Sequence, residues 1–123
     1  LHTAYRRQRQ MCIRDRSCMD RRVSQLSGGE RRYLEAKLLL LGDTKFVLLD
    51  EPFDYLSFHL ADKLIELIKK HSVNKGIVIS DHNYGKVLEV VNRLTLIREG
   101  VLLELTDKRG LVEQGYLLSE SYL

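Results

Sequence analysis

The stretch KFVLLDEP, Lys45 to Pro52, decides the fold. Phe46 to Leu49 form a continuous apolar run bounded by turn signals, which predicts a strand over Lys45–Asp50 buried on both faces. Pro52 stops it, because proline has no N–H to donate to a ladder. Downstream, KGIVIS (Lys75–Ser80) is a second predicted buried strand, rich in β-branched residues. Between the two, a helix over about Phe58–His71 turns Leu60, Leu64, Ile65, Leu67 and Ile68 toward a core. Upstream, Gly28–Leu41 is a predicted helix with Leu34, Leu38 and Leu41 at helical spacing, closed by Gly42-Asp43. Beyond the second strand a helix is predicted at about Tyr84–Val91. LTLIREGVLLEL then splits into two strands around Glu99-Gly100, a hairpin signal. DKRGLVEQGYLL opens with Asp107 as a cap and predicts a short helix. This order specifies an α/β fold: parallel strands with right-handed crossover helices, ending in an antiparallel hairpin edge.

With 123 residues the chain is at most one domain, and 44% hydrophobic against 30% charged residues is ordinary globular composition. No apolar run approaches the roughly 20 residues that span a bilayer. The N-terminus lacks the apolar core of a signal peptide, so a cytoplasmic location is expected. Cys12 and Cys18 are expected as free thiols. Charge is uneven. Residues 1–24 hold seven arginines against Asp15 and Asp20, whereas the remainder holds 13 Lys or Arg against 15 Asp or Glu. Such an arm is either simply solvated or touches nucleic acid or anionic lipid. RRQRQMCIRDR (Arg6–Arg16) lacks helical or strand periodicity and resembles translated adapter read-through. Residues 1–22 are therefore expected to be a non-native or disordered tail, and residues 23–123 the domain.

Three groups of residues carry candidate chemistry. Asp50-Glu51 follows an apolar strand, and in α/β sheets ligands bind beyond the carboxyl ends of strands. One of two adjacent acids there can hold a hard cation such as Mg²⁺ while the other orients a water. His82 follows the second strand and would face the same crevice if the strands are neighbours, where an imidazole can donate to a phosphate oxygen. Ser27-Gly28-Gly29 opens a predicted helix, whose unpaired N–H groups and dipole attract anions. Taken singly, each has a plain structural alternative: a turn acid, a structural histidine, an N-cap.

In combination they are more specific. LSGGE (Leu26–Glu30), FVLLDEP (Phe46–Pro52) and SDHN (Ser80–Asn83) resemble, in order and spacing, the C-terminal half of an ATP-binding cassette (ABC) transporter ATPase. The likeness covers about Val23 to Gly100 and is strongest to the ATPase subunits of lipopolysaccharide-export and branched-chain amino-acid transporters. The resemblance implies a P-loop NTPase fold, ATP and Mg²⁺ as ligands, and definite roles. Asp50 would support Mg²⁺, Glu51 polarise the attacking water and His82 contact the γ-phosphate. Leu26, Ser27, Gly28, Gly29 and Glu30 would form the signature that reaches ATP held by a second ATPase subunit in a head-to-tail dimer. It also implies attachment to transmembrane transporter subunits at the inner face of the membrane. Nucleic acid is not an expected partner.

The chain departs from the family pattern at three points. Ser57 stands where an Asp is usual after FDYL, with Asp54 nearby but out of register, and Glu30 replaces the commoner Gln. The phosphate-binding loop G-x-x-x-x-G-K-[ST] does not occur in the sequence. The chain is therefore expected to be inactive alone, with a sheet edge and apolar surface uncovered. The alternatives are a fragment of a DNA-repair or chromosome-maintenance ATPase of the same superfamily, or a non-catalytic interaction module.

Overall fold

The structure is a computed structural model and describes residues 22–117. The expected tail over residues 1–22 lies, apart from Arg22, outside the described residues. A 3₁₀ turn (Val23–Gln25) precedes α1 (Gly28–Leu41), β1 (Phe46–Asp50), α2 (Phe58–His71) and β2 (Gly76–Ser80). These are followed by α3 (Tyr84–Leu88), β3 (Leu94–Arg98), β4 (Val101–Leu105) and α4 (Gly110–Glu113). β1 and β2 pair in parallel, from Phe46 opposite Gly76 to Asp50 opposite Ser80, with α2 as the connection a parallel pair requires. The α/β class with a parallel pair and an antiparallel hairpin is thus present. The hairpin, expected as an edge, instead forms a sheet of its own among the described residues.

Local chemistry sets the boundaries. Ser27 and Glu30 form a reciprocal capping box at the start of α1, each side chain taking the other's backbone N–H. Ser57 caps α2 by accepting from Leu60 N–H at 3.4 Å, and Lys69, Lys70 and His71 occupy its last turn, where the helix dipole favours positive charge. α3 stops at Leu88 rather than the expected Val91. There the Glu89 and Val90 N–H groups bond three residues back, to the Lys86 and Val87 carbonyls, so the last turn tightens. Glu99 and Gly100 both have positive φ, 51° and 80°, as a two-residue hairpin turn demands. Asp107 accepts from the N–H groups of Arg109 and Gly110 and so closes the turn leading into α4. The residue at the N-cap of that helix is Arg109, whose side chain makes no capping bond, rather than the expected Asp107.

The main core gathers Ala36 and Leu40 of α1, Val47 and Leu49 of β1, and Ala61, Leu64, Ile65 and Ile68 of α2, with Phe53 and Val87. A second cluster holds Leu88, Leu96, Leu111 and Leu117, so the adjacent residues Val87 and Leu88 join α3 to both. Two expectations need correction. α1 does not pack through Leu34, Leu38 and Leu41: it buries Ala36 and Leu40, while Leu38 and Leu41 are exposed. The capping box and the close approach of Gly29 to the Tyr55 backbone lie at the start of the face that buries Ala36 and Leu40. Nor are the strands buried on both faces. β1 alternates, with Leu48 75% exposed and Leu49 5% exposed, and β2 alternates between exposed and half-buried. The described helices cover one face; Phe46, Leu48 and Val78 lie exposed on the other.

Gly29 shows where the fold itself demands a glycine. A Cβ there would lie 2.7 Å from the Tyr55 carbonyl oxygen, whereas a Cβ on Gly28 would meet nothing within 4 Å. Gly29→Ala is therefore expected to cost about 1–3 kcal/mol by denaturant unfolding, from overpacking against backbone. Gly28→Ala should be neutral or gain up to about 1 kcal/mol. In the same assay Leu49→Ala should cost about 2–5 kcal/mol and Leu48→Ala about 0.5 kcal/mol or less. Equal losses at Leu48 and Leu49 would contradict the one-sided burial of β1.

Candidate functional site

The site begins where two parallel strands end together. Because Asp50 and Ser80 are register partners, the Ser80 hydroxyl donates to Asp50 Oδ1. The ladder runs one bond further, Glu51 N–H donating to the Ser80 carbonyl at 2.7 Å. Glu51 then adopts φ 46°, a left-handed conformation uncommon for a residue with a side chain. A turn follows, with Pro52 at its second position and the Asp54 N–H bonded to the Glu51 carbonyl at 3.2 Å. Strain of this kind at a strand end, in a charged residue, is a recurrent mark of functional positions.

Asp81 locks this turn to the loop after β2. Its Oδ2 accepts from Phe53 N–H at 3.0 Å and its Oδ1 from Asn83 N–H at 2.7 Å. His82, held between Asp81 and Asn83, presents its ring to both acids of the facing turn. Nδ1 lies 3.6 Å from Glu51 Oε1 and Nε2 lies 3.6 Å from Asp54 Oδ1. Behind the loop, Lys86 pairs with Asp62 at 3.2 Å and Glu89 at 3.4 Å, and lies 4.7 Å from the centroid of the Phe58 ring. Burial pushes the Lys86 ammonium down, but its hydrogen bonds to Asp62 and Glu89 outweigh that and hold it above its ordinary value. The start of α3, and with it the His82 loop, is thereby tied to α2.

The structure thus brings Asp50, Glu51 and His82 to one pair of strand ends. Oxygen donors at Asp50 and Ser80 suit a hard cation such as Mg²⁺. The Leu26–Glu30 segment lies at the start of α1, with Leu26 and Gly29 buried and Ser27 and Gly28 exposed. It adjoins the turn after β1 through the contact of Gly29 with Tyr55. The Ser27 hydroxyl is occupied as the helix cap, accepting from Glu30 N–H at 3.2 Å. Sequence reasoning overlooked Ser80 and Asp81, and left Asp54 as an out-of-register substitute. The i to i+2 bond of Asp81 to Asn83 is legible from an Asp in a loop. Its bond to Phe53, 28 residues away, is not.

No family model matches the chain. Curated relatives do. The lipopolysaccharide export system ATP-binding protein LptB of Escherichia coli is 38% identical over 81 residues, 63% of this chain and 33% of LptB. ABC transporter A family member 11 of Dictyostelium discoideum is 34% identical over 84 residues, 68% of this chain and 10% of that protein. The glutathione/L-cysteine transport system ATP-binding/permease protein CydC of Haemophilus influenzae is 33% identical over 93 residues, covering 74% of this chain and 16% of CydC. The chain therefore spans about a third or less of the length of these relatives. A solved structure described under ATP-driven dimerization and DNA-stimulated activation of SMC ATPases superposes with a TM-score of 0.59 at 16% identity. It covers 81% of this chain and 66% of that one. Over about two thirds of its length the chain is homologous to ABC transporter ATP-binding proteins, and its α/β fold, a parallel pair with an antiparallel hairpin, matches part of the ABC-type P-loop NTPase fold.

Proposed function

We propose that the chain supplies the signature and catalytic-carboxylate portion of an ATP-hydrolysing subunit that powers a membrane transporter. The observation that carries this reading is the meeting of Glu51 and His82, 3.6 Å apart, beside Asp50 at paired strand ends. In this reading Glu51 accepts a hydrogen bond from the attacking water and aligns it, and His82 donates to the γ-phosphate. Asp50 would hold Mg²⁺ through water, and the ion would supply charge neutralisation on the β- and γ-phosphates. Ser27 and Gly28 are exposed at the start of α1, and the open space at Gly28 would let a phosphate oxygen approach the backbone N–H groups closely. That phosphate belongs to ATP on a second subunit in a head-to-tail dimer, and transmembrane subunits hold the pair at the cytoplasmic face of the membrane. Among the described residues no helix is long and apolar enough to cross a membrane.

Alone, the 123-residue chain should turn over no ATP above background, since it lacks the P-loop sequence. Mg²⁺-dependent hydrolysis abolished by Glu51→Gln would overturn that statement. Fused behind the N-terminal portion of a relative such as LptB, residues 23–123 should restore hydrolysis. In the fusion, Glu51→Gln should lower kcat by about 10²-fold or more. Gly28→Ala should slow turnover without lowering stability. A folded, ATP-binding fusion whose rate ignores Glu51→Gln would sink the assignment.

The likeness to an SMC ATPase structure favours a second reading, a DNA-responsive ATPase. Beyond residue 24 the chain holds 13 basic against 15 acidic residues, an unfavourable balance for a phosphate-backbone surface. Duplex DNA added to the active fusion should leave its rate unchanged; stimulation would favour the second reading.

A further inference from the structure

We propose that Glu51, Asp54 and His82 form a binding site for a single divalent transition-metal ion of the Zn²⁺ or Co²⁺ type, separate from the Mg²⁺ role of Asp50. One ligand atom from each residue can be chosen so that all three lie within 4.8 Å of one another. The ring nitrogens of His82 each lie 3.6 Å from a carboxylate oxygen, Nδ1 from Glu51 and Nε2 from Asp54. Bonds of 2.0–2.1 Å in a tetrahedral site place ligand atoms about 3.4 Å apart, so closure requires rotations that bring the two carboxylates, which face different ring nitrogens of His82, toward the same one. Glu51 and His82 are exposed and Asp54 half-buried, which leaves room for them. One ring nitrogen binds the ion; water completes the shell.

The cluster rests on a fixed backbone. Glu51 is held by the Ser80 carbonyl, Asp54 by the Glu51 carbonyl, and the two loops by Asp81 through Phe53 and Asn83. Its chemistry selects the metal. Imidazole nitrogen with two carboxylates suits Zn²⁺ and Co²⁺, whereas Mg²⁺ prefers an all-oxygen octahedron and retains its waters. The binding does not depend on the catalytic reading above. One consequence does rest on that reading: the ion would engage the carboxylate and imidazole assigned to water and phosphate, so Zn²⁺ occupancy and turnover would exclude one another.

The test is a Co²⁺ titration of the whole 123-residue chain, followed by visible absorption, with Zn²⁺ and Mg²⁺ as competitors. One Co²⁺ should bind per chain without a thiolate charge-transfer band, be displaced by Zn²⁺, and resist a large excess of Mg²⁺. His82→Ala and the isosteric Asp54→Asn should each weaken binding at least about tenfold, with unchanged circular dichroism. The ring resonances of His82 should respond to metal while those of His59 and His71 do not. Absent binding, a thiolate band from Cys12 or Cys18, or affinity unmoved by both substitutions would each overturn the proposal. The Glu51→Gln rate effect in the fusion is read without added transition metal, so the two proposals fail independently.

Discussion

The parallel ladder between β1 and β2 is the constraint on which the rest depends. It is extended at one end by Gly76 N–H on the Lys45 carbonyl and at the other by Glu51 N–H on the Ser80 carbonyl. A parallel pair cannot be closed by a tight turn, so α2 must cross between the strands. That crossover fills the main core with Leu64, Ile65 and Ile68. The same register puts Asp50 against Ser80, and so brings the loops that follow both strands to one place. A slip of one residue would turn Val47 and Leu49 outward and separate the acids from the imidazole.

What the ladder begins, Asp81 completes. One carboxylate accepts backbone N–H groups from both loops, so the turn carrying Glu51 and Asp54 is tied to the loop carrying His82. Charged acceptors of backbone N–H groups make stronger hydrogen bonds than neutral ones. The result is a set of candidate site side chains, Glu51 and His82 exposed and Asp54 half-buried, on a backbone held by hydrogen bonds. In the proposed reading, a fixed backbone of this kind would lower the ordering cost of binding an ion or phosphate. Gly29 does comparable work for α1, because its missing Cβ lets the helix start lie directly on the backbone at Tyr55.

Most of the element pattern was legible in the sequence. The bounds of Gly28–Leu41 and Phe58–His71 match their predicted helices, because Ser27 and Ser57 cap them and the apolar spacing of the second is unambiguous. The Glu99-Gly100 turn was legible because few residue pairs tolerate positive φ twice in succession. Which face of α1 is buried was not legible: Leu34, Leu38 and Leu41 compete with Ala36 and Leu40, and periodicity alone cannot choose between two apolar stripes. The one-sided burial of β1 was also hidden, since a continuous apolar run reads the same whether one face or both are covered.

Sequence alone determined the α/β order, the end of the first strand at Asp50-Glu51-Pro52, and the three motifs whose order and spacing point to the ABC family. Those features are local, resting on backbone conformations and caps that a few neighbouring residues dictate. Only the tertiary structure decided that the imidazole of His82 lies between Glu51 and Asp54, and that Asp81 reaches Phe53. It also showed that an added Cβ would collide with backbone at Gly29 and meet nothing at Gly28. Each of these depends on strand register and on contacts between distant segments, where no spacing along the chain specifies which side chains will meet.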